Sequence, residues 1–223
     1  MYDKIYVHGA SWVEGFGVEK DEVFSYHLSN LLQCEELNVA KGGASNDWVI
    51  RETIDYVLEN DPKNHLFVLG FAGYFRWDIW DDKEEEWKKG HPMSFTEPNL
   101  IENEKKLHGL NYVKHWKYFV ENFYNEKIMR DKFVRDIHLL ESFFRIRNLD
   151  YILFDTTSGI LKEVPNKFKK FIDLSWEDFC GGKHDFESGE YISAENGHPN
   201  PNNHKKWANY LFDKLKEKPW PKF

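Results

Sequence analysis

Three short segments of this 223-residue chain hold side chains whose types and spacing could do covalent chemistry. Ser11 follows the apolar run Lys4-Ile-Tyr-Val-His8 after only Gly9 and Ala10. A serine at a strand-to-helix turn exposes its hydroxyl, and the backbone N–H groups at such a turn can hold an oxyanion, which suits a nucleophile. The same position also suits a plain helix-capping serine. The second segment is Glu195-Asn-Gly-His198-Pro-Asn-Pro-Asn-Asn-His204. A turn of that length can aim the Glu195 carboxylate at one nitrogen of His198 while the other nitrogen faces a hydroxyl, the base-plus-orienter arrangement of a hydrolytic triad. The alternative is a Pro/Asn turn with incidental histidines. His91-Pro92 repeats the dipeptide without a following helix and is set aside as a decoy. The third segment, Gly42-Gly-Ala-Ser-Asn46, lacks the lysine of a phosphate-binding P-loop, and Gly15-Phe-Gly17 lacks the third glycine of a dinucleotide fingerprint.

Other groups have two readings each. Arg76, in Phe75-Arg-Trp77, can clasp a substrate carboxylate or phosphate with its planar fork, or pair with Asp78 or Asp81 at the surface. Trp77, Trp80 and Trp87 can offer flat faces to sugar rings, or pack the segment that carries them onto the body. His184, Asp185, His198 and His204 fit no standard zinc spacing, so no metal site is expected.

These residues need elements to position them. Apolar strands are expected over residues 4–8, 36–40, 65–70 and 150–155, with a short fifth at 171–174. Helical spacing runs over 23–33, from a cap at Ser45 or Asn46 to Asp61-Pro62, through most of 112–147, and after Pro201, where Trp207, Leu211 and Leu215 recur every fourth residue. Strands alternating with helices imply an α/β fold, a three-layer α/β/α sandwich of flavodoxin-like type with a mainly parallel sheet. Ligands then sit at the carboxyl ends of the strands, which selects the small-residue loops at Gly9-Ala-Ser11, Gly42–Asn46 and Gly70-Phe-Ala-Gly73. The whole of 1–223 is expected to form one domain, with a Trp-rich insertion at about 73–110.

Composition narrows the partners. Thirty basic and 38 acidic residues give a formal charge of −8, which disfavours nonspecific binding to nucleic acid or anionic lipid. Aromatic residues at 17% can fill a sizeable core, which excludes disorder for most of the chain. No apolar stretch is long enough to span a membrane, and no signal-peptide pattern opens the sequence. Two cysteines cannot build a disulfide framework, and together these features point to a cytoplasmic setting.

The combination resembles the SGNH (GDSL-type) hydrolase superfamily, most closely its divergent members found in phages and in bacterial surface-glycan gene clusters. His8-Gly-Ala-Ser-Trp-Val-Glu-Gly15 is similar to the Gly-Asp-Ser block. Asn38-Val-Ala-Lys-Gly-Gly-Ala-Ser-Asn46 is similar to the second, glycine-bearing block. His198-Pro-Asn-Pro-Asn-Asn-His204 before a helix is similar to the last. The resemblance implies a serine esterase acting on an acyl ester of a carbohydrate. Ser11 would be its nucleophile, His198 its general base and Glu195 the orienter where the family has Asp. The N–H groups of Ser11 and Gly43 would form the oxyanion hole, with Asn46 or Arg76 as a further donor and Arg76 and Trp77 toward the substrate. It implies no metal or organic cofactor. Two hallmark side chains are replaced, by Ala10 for the aspartate and Ala72 for the asparagine of the third block. A missing oxyanion donor costs about 10²–10³ in rate where a hydrolase relies on it. The replacements leave a noncatalytic glycan-binding protein or an O-acyltransferase as alternatives on the same scaffold.

Overall fold

A computed structural model of the chain describes residues 2–81, 86–95, 97–157, 172, 174–181, 189–193 and 197–217. The elements run β1 (Lys4–Gly9), α1 (Ser11–Glu14), α2 (Phe24–Leu32), β2 (Glu35–Asn38), α3 (Asn46–Asn60), β3 (His65–Phe71), β4 (Trp77–Asp81) and β5 (Glu86–Gly90). They continue with α4 (Pro98–His108), α5 (Leu110–Asn122), α6 (Glu126–Ile146), β6 (Asp150–Asp155), α7 (Trp176–Phe179) and α8 (Pro201–Glu217). Short 3-10 turns lie at Lys20–Glu22 and Pro92–Phe95.

The main sheet has the order β2-β1-β3-β6, and all its strands are parallel. Val7 sits opposite Val68, and Val68 opposite Ile152. Central strands of such a sheet must be apolar on both faces. β3 meets that demand, being buried from Leu66 to Phe71. Leu66 and Val68 join Ile5, Val7, Ile152 and Phe154 on one face, under α2, α7 and α8 through Phe24, Leu28, Trp176, Trp207 and Leu211. Phe67, Leu69 and Phe71 join Tyr6, Tyr151 and Leu153 on the other, under α3 and α6 through Val49, Val57, Phe133, Ile137, Leu140 and Phe144. These are the three layers that the alternation of strands and helices implied. Each fully buried Leu, Val or Phe is worth roughly 1.5–3 kcal/mol over its exposed state. The two apolar layers therefore fix where the strand ends, and the loops on them, can lie.

The connection from β1 goes outward to β2, and the chain then returns to place β3 on the opposite side of β1. The strand order thus reverses between β1 and β3, and the crevice at their carboxyl ends is the topological switch point where ligands bind in such sheets.

Expected boundaries shift in three places. β2 stops at Asn38 because that side chain turns back on the backbone, its Oδ1 accepting the Ala40 N–H at 3.0 Å. The long helical stretch divides into α5 and α6, because Asn125 caps a fresh start by accepting from the Ile128 N–H at 3.1 Å. Of the expected fifth strand, Phe171 and Asp173 lie outside the described residues; Ile172 is buried and donates its N–H to the Leu153 carbonyl at 2.8 Å.

After β3 the chain forms an antiparallel hairpin, β4 with β5, with Trp77 opposite Gly90. Trp77, Phe95 and Trp116 make a separate aromatic cluster that joins this hairpin to α5.

Candidate active site

The crevice begins at the turn after β1. Gly9 pairs with Gly70 across the sheet, and a Cβ at Gly9 would come within 2.5 Å of Val13 and 2.6 Å of the Gly70 carbonyl. Only glycine lets α1 pack that close to β1 and β3. Ala10 is buried with Ala44 and Ala72 in the same apolar cluster, so the family's aspartate position is filled here by packing alone. Ser11 opens α1 and stays partly exposed.

The turn is braced from a distance. The Asn38 side-chain amide donates to the Val13 carbonyl and to Ser25 Oγ, each at 3.0 Å, and so ties the end of β2 to the first helix. Its place as the first residue of the second block was the only sign of this in the sequence. Glu14 Oε2 accepts the Gly42 N–H at 2.7 Å, and Lys41 donates its N–H to the Gly9 carbonyl at 3.1 Å. The glycine loop is thereby held over the serine, with Gly42 so near that a Cβ on it would lie 3.9 Å from that of Ser11. Gly43 follows at φ 75°, a left-handed conformation that favours glycine. Neither the Ser11 N–H nor the Gly43 N–H is donated to an acceptor among the described residues. Glu14 was not singled out in the sequence, although it sits three residues beyond Ser11.

His198 comes from the far end of the chain. Its carbonyl accepts the Ile192 N–H at 2.9 Å, and Tyr191 bridges to Pro199, so the histidine stands on a short two-sided turn. Pro201 then starts α8. His198 Nε2 lies 2.9 Å from Ser11 Oγ, across 187 residues of sequence. That is hydrogen-bond reach for a base and the hydroxyl it deprotonates. With Ser11 donating, Nε2 is bare and the ring proton sits on Nδ1. Glu195, the expected orienter, lies outside the described residues. Phe16, 54% exposed, packs its ring 5.0 Å from that of His198, an apolar rim that sequence reasoning missed.

His204 has another job. It is 1% exposed, and its Nδ1 accepts the Phe24 N–H at 3.1 Å. Burial, with lesser help from His27 and His198, pushes its pKa down to about 3, so the ring stays neutral and docks α8 on α2. Of the residues weighed as a metal set, His184 and Asp185 lie outside the described residues.

Two expected site residues land elsewhere. Asn46 does not face the crevice as a free donor. Its Nδ2 donates to the Ala72 carbonyl at 2.8 Å and its Oδ1 accepts the Ala72 N–H at 3.0 Å. The side chain is a buried brace between α3 and the end of β3, satisfying both backbone groups of Ala72. The cap of α3 is Ser45, which accepts from the Trp48 N–H at 3.0 Å. Trp77 is only 6% exposed and lies against Phe95, Trp116, Phe119 and Tyr124, so its face is closed to a sugar. The aromatic neighbours supplied by α5 decide this, and they are remote in sequence. The side chains of Trp80 and Trp87 lie outside the described part.

Arg76 reaches the loop that follows β2. Its Nη1 donates to the Ala44 carbonyl at 3.4 Å, one residue past Gly43. The alternative reading, a surface pair with Asp78, does not form: Asp78 bonds Arg51 Nη1 at 3.0 Å and the Ser45 hydroxyl. The Asp81 side chain is outside the described part.

No family profile and no curated protein matches the sequence. Solved structures do match. The esterase EstA from a Pseudoalteromonas species is 10% identical with a TM-score of 0.55, over 96% of this chain and 97% of that one. A lipolytic protein of the G-D-S-L family from Desulfitobacterium hafniense is 12% identical at a TM-score of 0.55, over 94% and 97%. The acetyl xylan esterase AlAXEase is 14% identical at 0.50, over 95% and 99%. Near-complete mutual coverage at these TM-scores, over a parallel sheet between helices, leads to one structural conclusion: the chain has the SGNH (GDSL-type) hydrolase fold.

Proposed function

We propose that this protein is a serine esterase that removes an O-acyl group from a carbohydrate. One observation carries the reading, the 2.9 Å approach of His198 Nε2 to Ser11 Oγ at the switch point of the sheet. In the proposed cycle Ser11 Oγ attacks the acyl carbonyl while His198 takes its proton. The carbonyl electron pair moves to oxygen, where the N–H groups of Ser11 and Gly43 receive it. Collapse breaks the ester bond, and the leaving alcohol takes the proton from His198. Water repeats the sequence on the acyl-serine and releases a carboxylic acid. Glu195 is proposed as the group that orients His198. A sugar hydroxyl in place of water would make the same intermediate a transferase.

The carbohydrate part of the reading draws on Phe16, whose exposed ring beside His198 suits the apolar face of a sugar, and on the acetyl xylan esterase among the similar folds. A cytoplasmic place of action fits Cys34 and Cys180, both free thiols. The test is hydrolysis of p-nitrophenyl acetate with labelling by a serine-directed fluorophosphonate. Ser11→Ala and His198→Ala should each lower kcat by about 10⁴–10⁶, and Ser11→Ala should abolish labelling. Activity unchanged in both variants defeats the proposal.

A second reading, a glycan-binding protein without turnover, is favoured by one observation. Ala72 has no side-chain donor, and the Asn46 amide weighed as its replacement is engaged with the Ala72 backbone. It predicts oligosaccharide binding with no Ser11-dependent ester cleavage.

A further inference from the structure

We infer that the ester taken by this site carries a fixed negative charge, a carboxylate or a phosphate, which the Arg76 guanidinium holds beside the reacting carbonyl. This deepens the esterase reading and rests on it for the reaction, though not for the binding.

Arg76 sits between β3 and β4 and is half-buried, its guanidinium lying against the Ala44 carbonyl. Burial alone lowers its pKa, and no compensating acid figures among the causes. Among the described residues no carboxylate lies in ion-pair reach of it, and its hydrogen bonding amounts to the long 3.4 Å contact with Ala44. The nearest acid in sequence, Asp78, is held by Arg51 and Ser45. An arginine offers five N–H donors and stays charged at every working pH. A cation partly withdrawn from water without a counter-ion loses solvation, and an arriving anion offsets that loss.

The surroundings of Arg76 are uncharged at neutral pH. His91 lies near enough for the Arg76 charge to oppose its protonation; with burial as the larger cause, the imidazole titrates only at about 4. At neutral pH the ring is therefore uncharged, and the positive charge here is that of Arg76. Phe75 packs edge-on against the His91 ring at 4.6 Å and forms an apolar wall.

Position connects this charge to the chemistry. Ala44 follows Gly43, and Gly42 rests against Ser11. An anion on Arg76 is therefore anchored on the same loop that faces the nucleophile. In the proposed reaction the oxyanion is a single oxygen received by the N–H groups of Ser11 and Gly43. A guanidinium fork matches a group with two or three oxygens. That geometry favours a charged substituent of the substrate over the oxyanion as the Arg76 partner.

Two measurements test the inference separately. In the first, methyl glucuronate, glucose 6-phosphate and methyl glucoside are titrated calorimetrically into the Ser11→Ala protein, with and without Arg76→Gln or Arg76→Lys. The charged sugars should bind at least about tenfold more tightly than the neutral one, Arg76→Gln should remove that preference, and Arg76→Lys should retain part of it. The glucuronate and phosphate arms tell which anion is meant. In the second, KM and kcat are compared for O-acetylated methyl glucuronate, O-acetylated glucose 6-phosphate, p-nitrophenyl succinate and p-nitrophenyl acetate. Arg76→Gln should raise KM for at least one charged ester at least about tenfold more than for the neutral ester. Folding is checked by thermal melts, and Arg76→Lys keeps the charge if Arg76→Gln melts early. Charged sugars bound without any ester cleavage would sink the esterase reading and leave the anion site standing. No charge preference in either measurement, or an equal fall in kcat for neutral and charged esters, would overturn the anion site.

Discussion

Arg76 and Trp77 are neighbours in the chain and end in opposite environments. The guanidinium touches the loop behind Gly43, whereas the indole is sealed into an aromatic cluster with Phe95 and Trp116. Arg76 precedes β4 and Trp77 begins it, and the two side chains have different neighbours, the Ala44 carbonyl for one and an aromatic cluster for the other. The difference shows that the segment after β3 has two faces. One lies against the glycine loop, and the other fastens the hairpin to α5.

The strongest test of that division is Trp77→Ala. Loss of a buried indole should cost about 3–5 kcal/mol of stability, measured by urea denaturation. A variant that melts normally but binds sugars poorly would place the indole in the crevice and break the comparison. Asn46→Ala sharpens the same division on the crevice side. Leaving the Ala72 N–H and carbonyl unpaired should cost about 1–3 kcal/mol for each buried group. A fall of a hundredfold or more in kcat with unchanged stability would instead make Asn46 an oxyanion donor.

The smallest expected effect separates the two histidines of the last block. His198 faces Ser11, while His204 is buried and held neutral with its pKa near 3. The unfolded chain takes up a proton on His204 near pH 6.5, and the folded chain refuses it until about pH 3. Stability is therefore fully present above about 6.5 and falls as pH drops, by about 1.4 kcal/mol per unit. From pH 7 to pH 5 His204 should account for about 2 kcal/mol, with His91, lowered to about 4, acting in the same sense. Urea midpoints for the parent and for His204→Asn, which keeps an acceptor for Phe24, should diverge over that range. Equal pH slopes would show that His204 does not stay neutral.

Much of the scaffold was legible. β3 declared itself through an unbroken apolar run, and α8 through Trp207, Leu211 and Leu215 at four-residue spacing. Burial on both faces leaves a central strand few other compositions. The pairing of Ser11 with His198 was legible only as an order of blocks along the chain. The roles of Asn46 and Trp77 were misread because each is set by a partner far away: Ala72 for the first, Phe95 and Trp116 for the second. Glu14, Asn38 and Phe16 passed unnoticed for the same reason, since a brace or a rim looks like any polar or aromatic loop residue until its partner is known.

The sequence by itself determined the layers, the loops that gather at one edge of the sheet and the residue types available there. Apolar periodicity and turn chemistry are local, and they act before any long-range contact exists. Tertiary structure alone decided which of those residues meet. It brought a hydroxyl and an imidazole together across 187 residues, turned one amide into a brace, and left one half-buried arginine without an acidic partner among the described residues. Packing and desolvation are properties of the assembled neighbourhood, and no single segment carries them.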